Sequence, residues 1–173
     1  MGLKYFIAGL AVMLFLTWGM IYFQNSSIEK VSARNGSIDI LEIIDTNGGS
    51  FFVLADTGDF LTGEIYEKGL LGWKVKGISQ ALNDRKNETV IRPDNIGYVS
   101  NGDIGFYYGY ADAGKVEAVK LTSGGKEMSS KVNAYYWVIP VASDINNGSF
   151  FANQFSAVLK DGTEVFYPFT EIN

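Results

Sequence analysis

Gln154–Phe169 reads QFSAVLKDGTEVFYPF. Phe155, Ala157 and Leu159 fall on one alternation, Asp161-Gly162 interrupts it, and Val165, Tyr167 and Phe169 resume it. A period of two places such side chains on one face of a strand, and Asp-Gly suits the two positive-φ positions of a type I′ turn. The stretch is therefore expected to be a β-hairpin. The same pattern recurs upstream, where VEAVKLT and KEMSSKV flank Ser123-Gly124-Gly125 within Lys115–Val132 and predict a second hairpin. In the run Ile104–Tyr110, Ile104, Phe106, Tyr108 and Tyr110 share one strand face while Gly105 and Gly109 lie on the other, so a neighbour is expected to approach the glycines closely. Ala134–Val141 (AYYWVIPV) is apolar almost throughout and reads as a central strand with Pro140 near its exit.

Further toward the amino terminus, Ile38–Ile44, Ser50–Ala55, Phe60–Lys68 and Leu70–Ile78 are separated by Asn47-Gly48-Gly49, by Asp56-Thr57-Gly58-Asp59 and by Gly69. Short apolar runs punctuated this way predict an antiparallel meander of three or four strands. Beyond residue 23, Ser79–Asn87 (SQALNDRKN) is the one stretch suited to a short helix, and Arg92-Pro93-Asp94 closes it as a loop. The pattern changes there, which divides the body into a β meander over residues 37–92 and a β-sandwich-like domain over residues 93–173. The strand density of the second part is that of a small immunoglobulin-like sandwich. The fold class is mainly β.

Ahead of the body, Tyr5–Phe23 (YFIAGLAVMLFLTWGMIYF) carries no charge. At about 1.5 Å per residue a helix of that length crosses roughly 30 Å of hydrocarbon. Tyr5, Trp18, Tyr22 and Phe23 stand near its ends, where aromatic rings meet the headgroups. Residues 5–23 are thus expected to be a single-pass anchor in the bilayer, with residues 1–4, including Lys4, on the cytoplasmic side and the body outside. The competing reading is a secretory signal, cleaved after Val31-Ser32-Ala33 to release a free domain; the apolar run is long for that, and the small residues lie far from it. Residues 24–36 are polar and without an apolar period, and read as a stalk that reaches roughly 40 Å if extended.

Composition removes much chemistry. With no histidine and no cysteine, His-based triads, Cys-His dyads, zinc sites of His or Cys, c-type haem attachment and disulfides are excluded. Fourteen basic against nineteen acidic residues give a net charge of -5, and the basic ones are scattered, so no nucleic-acid partner is expected. No cofactor, metal site or catalytic residue is assigned. Asp56 and Asp59 bracket a loop and would serve a carboxylate-based hydrolase only if they converge. The aromatic-rich runs offer Tyr107, Tyr135 and Tyr136 as candidate binding residues should they face outward, against the alternative that they fill a core between sheets. Trp73 is the fourth candidate, with structural anchoring of the meander as its simpler role.

The run GLLGWKVKG at Gly69–Gly77 resembles the Gly-Trp-Lys signature of a group of small secreted or membrane-anchored proteins of low-GC Gram-positive bacteria. Gly72-Trp73-Lys74 is its distinctive part, and a KVEAVKL strand and the Ala157–Thr163 hairpin fit the β-rich half of that group. The resemblance implies location and fold, and no activity. The expected function is a non-catalytic, membrane-anchored extracytoplasmic protein that binds another envelope or membrane protein. A wall-polymer or sugar-binding module and a carboxylate-based hydrolase are the alternatives. The sequence leaves the oligomeric state open.

Overall fold

The apolar amino-terminal run forms helix α1 (Gly2–Gln24), none of whose residues is buried against the body. It is apolar around its whole circumference, long enough to cross a membrane, and followed at once by a second helix, α2 (Ile28–Arg34). The computed structural model describes residues 2–87, 89–142 and 154–170. Ser27 caps α2 by accepting the Lys30 N–H, and Glu29 and Arg34 suit the two ends of its dipole. Ile28 and Val31, three apart and so on one face, are buried against Val53 and Tyr66. The extended stalk expected over residues 24–36 is therefore replaced by a docked helix. Two apolar residues in seven make no visible period; they become a face only because Val53 and Tyr66 lie beneath them.

Eleven strands follow among the described residues: β1 (Asp39–Asp45), β2 (Ser50–Asp56), β3 (Phe60–Gly69), β4 (Gly72–Leu82), β5 (Ile96–Ser100), β6 (Ile104–Tyr110), β7 (Val116–Ser123), β8 (Lys126–Lys131), β9 (Tyr136–Ala142), β10 (Phe155–Leu159) and β11 (Glu164–Phe166). They form three antiparallel sheets ordered β1-β2-β3-β4, β5-β6-β9 and β11-β10-β7-β8. The first is the expected meander with all four strands. Its last strand runs to Leu82, with Ser79, Gln80, Ala81 and Leu82 opposite Gly63, Thr62, Leu61 and Phe60. The helix expected over Ser79–Asn87 is accordingly confined to one 3-10 turn at Asp84–Asn87. Local sequence there is compatible with a helix, and ten residues of β3 offering free ladder partners outweigh it.

The three sheets stack as layers. Phe52, Leu54, Leu61 and Ile65 of the first meet Val99, Phe106, Tyr108 and Val138 of the middle one. On the opposite face of that middle sheet, Tyr107, Trp137, Ile139 and Val141 meet Val119, Leu121, Phe155 and Ala157 of the third. Alternation along β6 thus divides its side chains between two cores, and the break in pattern near Arg92 marks passage from one layer to the next across a shared core. β9 is buried on both faces, yet it is an edge strand of its sheet. Its apolar run reports two covered faces and not a central position; at an edge, the exposed Pro140 removes no ladder bond that a neighbour needs.

Close approach at the β6 glycines is as expected. A Cβ at Gly105 would overlap the Tyr98 ring, and one at Gly109 would overlap the Asn95 carbonyl. The two hairpins form with different turns. Gly124 and Gly125, at φ +56° and +75°, make the two-residue turn between Ser123 and Lys126. At Asp161-Gly162 only the glycine has positive φ, +88°. Asp161 instead accepts the Thr163 N–H through Oδ1 at 2.9 Å, and Leu159 N–H reaches Thr163 O at 2.8 Å, so the connection is a three-residue turn in place of the type I′ expected.

Candidate functional site

Asp56 closes β2 and is 4% exposed. A carboxylate taken out of water must have its lone pairs filled, and here they are. Oδ1 accepts the Gly58 N–H at 2.6 Å and the Asn83 side-chain amide at 3.2 Å. Oδ2 accepts the Tyr135 hydroxyl at 2.8 Å and faces the Arg85 guanidinium at 3.6 Å. Arg85 also lies over the Tyr135 ring, 4.6 Å from its centroid, a cation–π stack held at one end by a buried charge. Burial first, and then the hydrogen bond to Asp56, push the Tyr135 hydroxyl up to about 12, so it remains a donor at physiological pH.

A tight turn presents Tyr135. Asn133 N–H bonds Tyr136 O at 2.7 Å, Tyr136 N–H bonds Asn133 O at 3.0 Å, and Ala134 between them takes φ +56°. That conformation is unfavourable for a residue with a Cβ, so the surrounding bonds hold strain at this position. Beside it lies a recess of about 330 Å³ lined by Arg85, Tyr110, Asp112, Lys115 and Tyr135. Two cations, one carboxylate and an aromatic face line it. Asp56 has its oxygens committed, and Asp59 points to solvent, paired with Lys86 at 3.2 Å. The two carboxylates therefore do not converge. Among the described residues no three acidic side chains gather as a metal site.

The four candidate binding residues are dispersed. Tyr107, 1% exposed, lies in the core between the middle and third sheets, with its ring 5.2 Å from that of Phe155. Tyr136 is buried in the other core, donating its hydroxyl to Leu41 O at 3.1 Å. Both are thereby corrected from candidate contact residues to core residues, because the middle sheet is covered on two sides. Tyr135 is half-buried at the recess. Trp73 is half-buried at the opposite end of the first sheet, edge-on to Phe51 at 5.4 Å, with Lys68 over its ring at 5.6 Å. Arg85 escaped sequence reasoning; it sits in a stretch that reads as helix, and its two partners, Asp56 and Tyr135, are distant in the chain.

Trp73 marks where body meets helix. Its N–H donates to Asn25 O at 2.7 Å, one residue beyond α1, and a Cβ on Gly72 would strike that same carbonyl. Nearby, Glu64 is fully buried and accepts hydrogen bonds from Tyr66, from Ser32 at 3.3 Å and from Asn35 at 3.1 Å. Two of those three donors belong to α2 or its cap. The α2 segment is thus part of the folded body. Comparison with protein-family models, with curated proteins and with solved structures found no match.

Proposed function

We propose that the chain is a single-pass membrane protein with an extracytoplasmic β body that binds another envelope or membrane protein and carries out no catalysis. The observation that carries this reading is the continuity of α1 with the body. Cleavage after Ala33 would remove Ile28, Val31 and Ser32, stripping the cover from Tyr66 and one donor from Glu64. A protein whose fold uses those residues is better served by retaining the helix before them than by discarding it. The unburied apolar surface of α1 then belongs to lipid, and the body stands directly on the membrane.

In that arrangement β3 runs toward the bilayer, ending at Gly69 beside the Trp73–Asn25 contact. Its ten residues separate the Trp73 end from the Asp56–Arg85 end by roughly 30 Å. The recess at Arg85, Asp112, Lys115 and Tyr135 is held at that height and offers contact to the extracytoplasmic part of a neighbouring protein. The wall-polymer reading needs an outward row of rings, to which Tyr107 and Tyr136 do not contribute.

The test is photo-crosslinking in cells with a photoreactive residue replacing Ala113 in the recess, alongside the same replacement at Lys160, combined with protease treatment of intact protoplasts. A membrane-bound chain whose body is digested from outside, with a discrete crosslinked species from position 113 that Arg85→Glu abolishes, is expected. A shortened protein in the medium would overturn the anchored reading, and the absence of a crosslink from the recess would overturn its role in binding.

A further inference from the structure

The β3–β4 connection puts Leu70 and Leu71 at a hairpin tip, 90% and 45% exposed, between Gly69 and Gly72. Adjacent leucines at a tip, one of them almost wholly in solvent and the other nearly half exposed, find little packing purpose within the body. Their position supplies one. Gly72 and Trp73 touch the Asn25 carbonyl directly after α1, and the last turn of α1 exposes Tyr22 and Phe23. The apolar tip is thereby next in the chain to the residues that meet the end of the helix. Two cation–ring pairs share this level: Lys68 over the Trp73 ring at 5.6 Å, and Lys30 over the Phe23 ring at 3.8 Å. Half-buried tryptophan, exposed aromatic rings and lysines reaching over them are what an acyl–headgroup boundary selects.

We infer that the Leu70–Leu71 tip inserts into the bilayer interface beside α1, giving the body a second attachment to lipid. The inference rests on the anchored reading above. One helix end alone leaves a body free to swing; two attachments joined by the Trp73–Asn25 bond set its tilt and hold the recess at a constant height. The occupant of the apolar tip is the boundary between headgroups and acyl chains of the leaflet on the body's side.

The chain has no cysteine, so single labels can be placed without background. Full-length protein carrying Leu70→Cys, Leu14→Cys or Lys160→Cys, each spin-labelled, is reconstituted in vesicles of phosphatidylethanolamine and phosphatidylglycerol. Accessibility to oxygen, which concentrates in lipid, is compared with accessibility to a water-soluble nickel chelate. Expected is a several-fold higher oxygen-to-nickel ratio at position 70 than at 160, with position 14 higher still. Should position 70 match 160 while 14 lies deep, the inference is overturned and the anchor stands. If 14 also reads as aqueous, the anchored reading fails and this inference with it. Shielding of position 70 from both reagents would mean protein cover, overturning the lipid assignment.

Discussion

Tyr108 occupies a slot that two glycines make for it. A Cβ at Gly63 on β3 or at Gly97 on β5 would collide with its ring, and at Gly109 with the backbone carbonyl of Asn95. Ring atoms can shift a little, whereas the Asn95 carbonyl, fixed at the end of the Pro93–Asn95 3-10 turn where β5 begins, has less freedom to do so. Gly63→Ala is therefore expected to cost about 1–3 kcal/mol by overpacking, and Gly109→Ala more, read as shifts in the urea midpoint of the full chain in detergent. The tyrosines also set the alkaline limit. Burial pushes the hydroxyls of Tyr107 and Tyr108 up to about 12, as burial and the Asp56 hydrogen bond do for Tyr135. Their unfolded value lies near 10, so the unfolded chain loses these protons first as pH rises. Their stabilising contribution is complete below about pH 10 and is lost as the pH climbs toward 12. The share of tyrosinate absorbance that Tyr107→Phe, Tyr108→Phe and Tyr135→Phe remove should therefore appear together with loss of near-UV circular dichroism; ionisation of these three ahead of unfolding would contradict this account.

At the scale of elements, α2 carries the most consequence for its length. Ile28→Ala and Val31→Ala each remove a buried side chain over Tyr66 and Val53, and Ile28→Ala should cost about 2 kcal/mol, the low end for core truncation because the site lies at the margin of the body. The paired variant should also make Glu64 accessible, seen as faster amide exchange through β3. An unchanged exchange pattern would show that α2 is only laid on the surface. Hairpins were legible from residues alone: Gly124-Gly125 and Asp161-Gly162 both turn the chain where dipeptide chemistry requires. Turn type at the second was not, because the Asp161 carboxylate finds the Thr163 N–H and so keeps a backbone that Asp tolerates without positive φ.

For the whole molecule, stacking of three sheets makes the middle one common property. Phe106 lies on Phe52 with ring centroids 4.3 Å apart, while its neighbour Tyr107 packs on the other side against Phe155. Phe106→Ala should cost about 3–5 kcal/mol and lower a single transition in which Trp73 of the first sheet and Trp137 of the second core report together. Two separate transitions would mean that the residues before and after Arg92 fold as independent units.

Strand content, the hairpins, the two-faced pattern of β6 and an apolar amino-terminal helix able to cross a membrane follow from the sequence by itself, because each is a local matter of side-chain period, turn chemistry and length. The partners of those elements do not. Whether AYYWVIPV is central or an edge, whether Tyr107 and Tyr136 face solvent, whether residues 28–34 extend or dock, and that Arg85 meets Asp56 and Tyr135, were decided by contacts between segments far apart in the chain. Such contacts depend on which faces remain uncovered once the layers stack, and a face has no local signature until its neighbour is in place.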